Sequence, residues 1–83
     1  MLTQKERGIL FRELIHCKGF TQKTFAKACG YPEACISRLC NGERPIEGVG
    51  FKTVLKFTKV LKVSSPKAFC DLLGIELEKT NDR

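Results

Sequence analysis

Residues 21–41, TQKTFAKACGYPEACISRLCN, decide the fold. The stretch reads as two short helices broken at Gly30, a residue able to take the positive φ of a tight turn without steric penalty. Gln22, Ala26, Gly30 and Ile36 carry the spacing of a helix-turn-helix DNA reader. Ala26 is small where the two helices must cross closely. Ile36 and Leu39 turn inward, which leaves Glu33, Ala34, Ser37 and Arg38 facing outward at helical spacing. A chain built around this unit is expected to bind duplex DNA and to do no chemistry on it.

The flanking sequence reads as further helices. Thr3, with Glu6 three residues later, has capping-box spacing and starts a first helix. Leu10, Phe11 and Leu14 follow as its apolar positions, and Lys18-Gly19 ends it. Thr21 caps the second helix, which buries Phe25, Ala26 and Cys29. Tyr31-Pro32 starts the third, because Pro is tolerated in a first turn that needs no intrahelical N–H. Asn41-Gly42 stops it, and residues 41–50, NGERPIEGVG, hold three Gly and a Pro and read as a loop. Phe51 opens a fourth helix in which Phe51, Val54, Leu55, Thr58 and Leu61 share one face and Lys52, Lys56 and Lys59 another. Ser64 or Ser65 caps a short fifth helix over residues 66–73, with Phe69, Leu72 and Leu73 apolar, and Gly74 ends it. Residues 76–83, ELEKTNDR, include one apolar residue and are expected to form a flexible C-terminal tail. The prediction is all-α: a compact five-helix bundle in a single domain, residues 1–75.

Composition is consistent with one small core. Across 83 residues the hydrophobic share is 42%, with six Phe and no Trp. The formal net charge is +6, unevenly placed: residues 18–67 hold ten Lys/Arg against three Glu, whereas residues 70–83 hold four acids against two bases. The basic excess thus coincides with the helix-turn-helix and the segment C-terminal to it, as a polyanion-binding surface requires. No segment approaches the ~20 apolar residues of a membrane span. The N-terminus, MLTQKERGILFRE, flanks three apolar residues with charge and lacks a secretory core. A cytoplasmic, nucleoid-associated protein is expected, with no membrane partner.

The five cysteines, at 17, 29, 35, 40 and 70, contain no C-x-x-C and match no common zinc spacing. They read mostly as small apolar fillers, so no metal and no cofactor is expected. One His and scattered carboxylates offer neither an acid–base pair nor an activated nucleophile. An enzyme is not expected.

With these residues in order, the chain resembles the Cro/C1 (XRE) helix-turn-helix family of λ-repressor-like DNA-binding domains, over roughly residues 4–74. KGFTQ before the second helix, Ala26 with Gly30, Ile36-Ser37, Asn41-Gly42 and VLKVS closing the fourth helix all fall in place. The resemblance implies a five-helix domain that docks its third helix in the major groove, commonly as a two-fold dimer on a palindromic operator. Two departures stand out. Pro32 occupies the position where a Ser or Thr cap is commoner, and the loop of residues 41–50 is a few residues longer than in λ-type repressors.

Base-reading residues should lie on the exposed face near the start of the third helix: Pro32, Glu33, Ala34, Ser37 and Arg38. Arg38 is suited to guanine O6 and N7, Glu33 to cytosine N4, and Ala34 to a thymine methyl. Gln22, Lys23, Asn41, Arg44 and Lys52 are the candidate phosphate contacts, setting register without reading sequence. Phe69, Cys70 and Leu73, on the fifth helix with the end of the fourth, form the candidate homodimer interface, since one half-site alone buries little surface; the alternative is that they simply close the core. The leading reading is a sequence-specific regulator of transcription, a repressor acting by occlusion of double-stranded DNA. The alternatives are an antitoxin that represses its own operon while binding a toxin, and a mobile-element inhibitor or adaptor using the fold for protein contacts.

Overall fold

The computed structural model of the chain describes residues 2–74, so the expected tail of residues 76–83 lies outside the described residues. Among the described residues there are five α-helices, one 3-10 turn and no strand. The helices are α1 (Gln4–Cys17), α2 (Gln22–Cys29), α3 (Glu33–Cys40), α4 (Phe51–Leu61) and α5 (Pro66–Leu72). The all-α expectation holds.

Local chemistry accounts for most boundaries. Thr3 and Glu6 form a reciprocal capping box: the Glu6 N–H donates to Thr3 Oγ1 at 3.1 Å and the Thr3 N–H to Glu6 Oε1 at 2.8 Å. These bonds, the backbone one foremost, hold the Glu6 carboxyl below its ordinary pKa. Thr21 and Thr24 build an equivalent box at the start of α2. Ser65 caps α5, with Pro66 in its first turn. Lys62 ends α4 at φ 57°, ψ 39°, the one non-glycine residue with positive φ among those described.

Four phenylalanines from four helices form the core. Phe11 of α1 meets Phe57 of α4 at 5.3 Å between ring centroids, and meets Phe25 of α2 and Phe69 of α5 edge-on at 5.8 and 5.9 Å. Ile36, Leu39 and Cys40 bring α3 into the same cluster. Ile15 and Ile46 complete it, both fully buried and neither anticipated from sequence. Ile46 belongs to the 3-10 turn Ile46–Gly48, so the expected loop is pinned to the core at its centre.

Two expectations need correction. Of the stripe expected on α4, Thr58 and Leu61 are buried and Val54 packs against the core, but Phe51 is 67% exposed and Phe57, outside that stripe, is fully buried. Phe57 fixes that rotation because its ring sits among Phe11, Phe25, Tyr31 and Phe69. Phe69, Cys70 and Leu73 are 0, 5 and 1% exposed, so they close the core and leave no accessible surface for a second copy. Leu72, 54% exposed, is the apolar residue α5 presents to solvent.

Candidate nucleic-acid interface

The turn between α2 and α3 is made as its residues require. Gly30 lies in the left-handed region at φ 68°, ψ 33°. A Cβ there would meet nothing within 4 Å, so the demand on this position is conformational alone. The Tyr31 N–H donates to the Ala26 carbonyl at 3.0 Å, closing the end of α2. Ala26 is buried where α2 packs on α3. Tyr31 then sets its ring edge-on to Phe57, 5.7 Å away, which ties the turn to α4.

Pro32 is the N-cap of α3 rather than its first residue, with extended backbone at φ −61°, ψ 135° and no side-chain cap bond. Its carbonyl accepts from the N–H groups of Cys35 and Ile36. Glu33 comes next, in the first turn, where the positive end of the helix dipole favours a carboxylate.

The pose of α3 is fixed from behind by α1. Gly8, mid-helix and buried, has no room for a side chain: a Cβ would lie 2.6 Å from the Leu39 carbonyl oxygen and 2.7 Å from that of Cys40. At Gly42, φ 77°, a Cβ would lie 2.6 Å from Lys5 Cα, and Gln4 Nε2 donates to the Gly42 carbonyl at 2.8 Å. Backbone therefore meets backbone where α1 crosses the end of α3. No local pattern in the sequence singles out Gly8, because its cause lies more than thirty residues away in the chain.

On the other side of α3, Pro32, Glu33, Ala34 and Arg38 are exposed, while Ser37 and Cys35 are half-buried. The inward burial of Ile36 and Leu39 places these positions together on one outward face. Among the described residues, Arg38 forms no ion pair; the pair found is Lys67 with Asp71 on α5, at 3.6 Å. Gln22 is half-buried in the first turn of α2 with Lys23 exposed beside it, and Asn41 caps the far end of α3. Arg44 is exposed in the loop, whose path is set by the Glu43 N–H donating to the Arg38 carbonyl at 2.9 Å. Lys52 is exposed in the first turn of α4.

Cys29, Cys40 and Cys70 are buried, and Cys17 is exposed. Burial pushes the Cys29 and Cys40 thiols up to about 11, so both are un-ionised and poorly nucleophilic at neutral pH. Among the described residues no group of three His, Cys, Asp or Glu is placed to hold a metal ion. No helix among them is long and apolar enough to cross a membrane.

Two short helices joined by a left-handed glycine, the second buried on one side and polar on the other, define a helix-turn-helix unit. The sequence model of the Cro/C1-type HTH DNA-binding domain matches residues 11–72, and the chain belongs to that family. A search among curated proteins gave no match to the chain.

Proposed function

We propose that the chain is a sequence-specific regulator of transcription, a repressor that occludes a palindromic operator by seating α3 in the major groove of each half-site. The observation that carries this reading is the outward face of α3, where Glu33, Ala34 and Arg38 stand exposed on a helix held from behind by α1. A major groove about 12 Å wide accepts one such helix. Arg38 takes guanine through O6 and N7, Glu33 accepts from cytosine N4, and Ala34 packs on a thymine methyl. Pro32 and Ser37 complete the reading set, with Pro32 fixing how the chain enters the groove. Gln22, Lys23, Asn41, Arg44 and Lys52 hold phosphates around it, and their cations carry the non-specific part of the affinity. Two copies, one on each half-site, supply the contact area that a domain of this size lacks alone.

Retardation of random-sequence duplexes by the purified protein, with selection and sequencing of the bound fraction, tests the reading. Enrichment of an inverted repeat is the expected result. Failure to retard any duplex at low salt removes the proposal.

A further inference from the structure

Lys23 and Lys27 of α2 and Lys52, Lys56 and Lys59 of α4 are all exposed, and neither helix contains an acidic residue. The two helices pack together, with the rings of Phe25 and Phe57 5.4 Å apart. Lys56 lies close enough to Cys29 of α2 for its charge to oppose, in part, the rise that burial imposes on that thiol. The lysines of α4, at i, i+4 and i+7, thus run beside those of α2 as one cationic face. Among the described residues no carboxylate pairs with any of the five. Phe51 stands at the head of the row beside Lys52 and, at 67%, is the most exposed large hydrophobic residue among those described.

This distribution of charge works against the fold. α1 and α3 carry Glu6 and Glu33 in their first turns, where a carboxylate suits the positive end of the helix. α2 and α4 carry Lys23 and Lys52 there instead. Like charges four residues apart, Lys23 with Lys27 and Lys52 with Lys56, add repulsion. A polyanion laid along the face relieves both costs.

Phe51 narrows which polyanion. The core of a protein–protein interface is where lysine is scarce, and this face offers lysine around a single aromatic ring. A lipid surface needs an apolar face, and α4 spends its own on the core through Phe57 and Leu61. A duplex keeps its bases stacked on one another and presents phosphates to such a row, which leaves the ring without a partner. A single strand supplies both parts, phosphates for the lysines and an unstacked base for the ring.

We infer that the α2/α4 face binds single-stranded DNA, with phosphates along Lys52, Lys56 and Lys59, Lys23 and Lys27 flanking them, and a base stacked on Phe51. The choice of DNA over RNA rests on the proposed duplex contacts of Lys23 and Lys52, with which the row is continuous. The choice of a single strand rests on Phe51 and stands apart from that reading.

The chain has no Trp, so Phe51→Trp places one fluorophore at the site. Indole fluorescence of that variant and anisotropy of labelled oligothymidylate, both at low salt, test the assignment. The expected result is that oligothymidylate quenches the indole as it binds, whereas polyphosphate, which has charge and no base, binds without quenching. Phe51→Ala should weaken oligothymidylate binding about tenfold with helical circular dichroism unchanged. Leu72→Ala, at another exposed apolar site, should leave it as it was. Lys56→Gln and Lys59→Gln should each lower the slope of log affinity against log salt by about 0.7, and Lys67→Gln on α5 should not. Absence of binding overturns the inference, as does binding that neither quenches the indole nor responds to Phe51→Ala. Equal quenching by the same strand annealed to oligodeoxyadenylate assigns the face to duplex and overturns it, and tighter binding of oligouridylate overturns it in favour of RNA. Displacement of oligothymidylate by polyglutamate at equal charge overturns it in favour of an acidic protein. Single-strand binding without retardation of any duplex would leave this site standing and remove the repressor reading. Duplex retardation with an unquenched indole would do the reverse.

Discussion

On its inner side α3 packs Ile36, Leu39 and Cys40 into the core and lies against α1 with no space for a side chain at Gly8. On its outer side Glu33, Ala34 and Arg38 project into solvent, and Arg38 has no ion-pair partner among the described residues. The orientation of the helix is therefore set by residues without any DNA chemistry, and the display by residues without any part in packing. Substitutions on the two sides should separate cleanly: inner ones change stability and pose together, outer ones change what is bound.

The largest effect should come from the core that α3 leans on. Phe57→Ala, which empties the centre of the aromatic cluster, should cost about 3–5 kcal/mol in denaturant unfolding. Gly8→Ala should cost about 1–3 kcal/mol, because its Cβ meets two carbonyl oxygens that cannot swing away as a side chain would. It should also weaken binding to every duplex alike, as measured by retardation, since it shifts the pose of α3 as a whole. If Gly8→Ala instead altered preference at single base pairs, the separation of the two sides would fail.

Arg38→Ala sharpens the contrast from the outer side. Its unfolding midpoint should match the parent's, while selection from random duplexes should lose about 1–3 kcal/mol of discrimination at one position per half-site. Alkaline pH probes the buried thiols. Cys29 and Cys40 have pKa values raised by burial from 9.0 to about 11. Their contribution is fully present below pH 9 and is lost as pH rises through 11. The thermal midpoint should fall by several degrees across that window, and a Cys29→Ala/Cys40→Ala variant, less stable at neutral pH, should lack this step. The smallest effect belongs to the phosphate set: Lys23→Ala should lower the slope of log affinity against log salt by about one, uniformly across sequences.

What could be read from the chain was what its causes placed nearby. Thr3 with Glu6, Thr21, Gly30 and Ser65 act on groups within a few residues, and each appears in the structure in the role expected of it. The outward face of α3 was legible for the same reason, since Ile36 and Leu39 settle its rotation from within the helix. The rotation of α4 was not. Thr58 and Leu61 are buried as expected, but the turn of the helix that buries Phe57 and exposes Phe51 is set by the rings of Phe11, Phe25 and Phe69 from other helices. In α5 most positions are apolar, so nothing local distinguishes Phe69, Cys70 and Leu73, which face the core, from Leu72, which does not. Gly8 is the extreme case, a mid-helix glycine whose reason is the carbonyl row at the end of another helix.

Lys62 has a consequence of another kind. It holds a left-handed conformation that costs a side-chain-bearing residue about 1–2 kcal/mol, at a helix end where glycine would sit without strain. Lys62→Gly is therefore a substitution expected to raise the melting temperature, and the gain gives the fold a margin of tolerance. Rebuilding the outward face of α3 for a new operator, which risks small losses of stability at each change, is best begun from a chain that already carries that glycine.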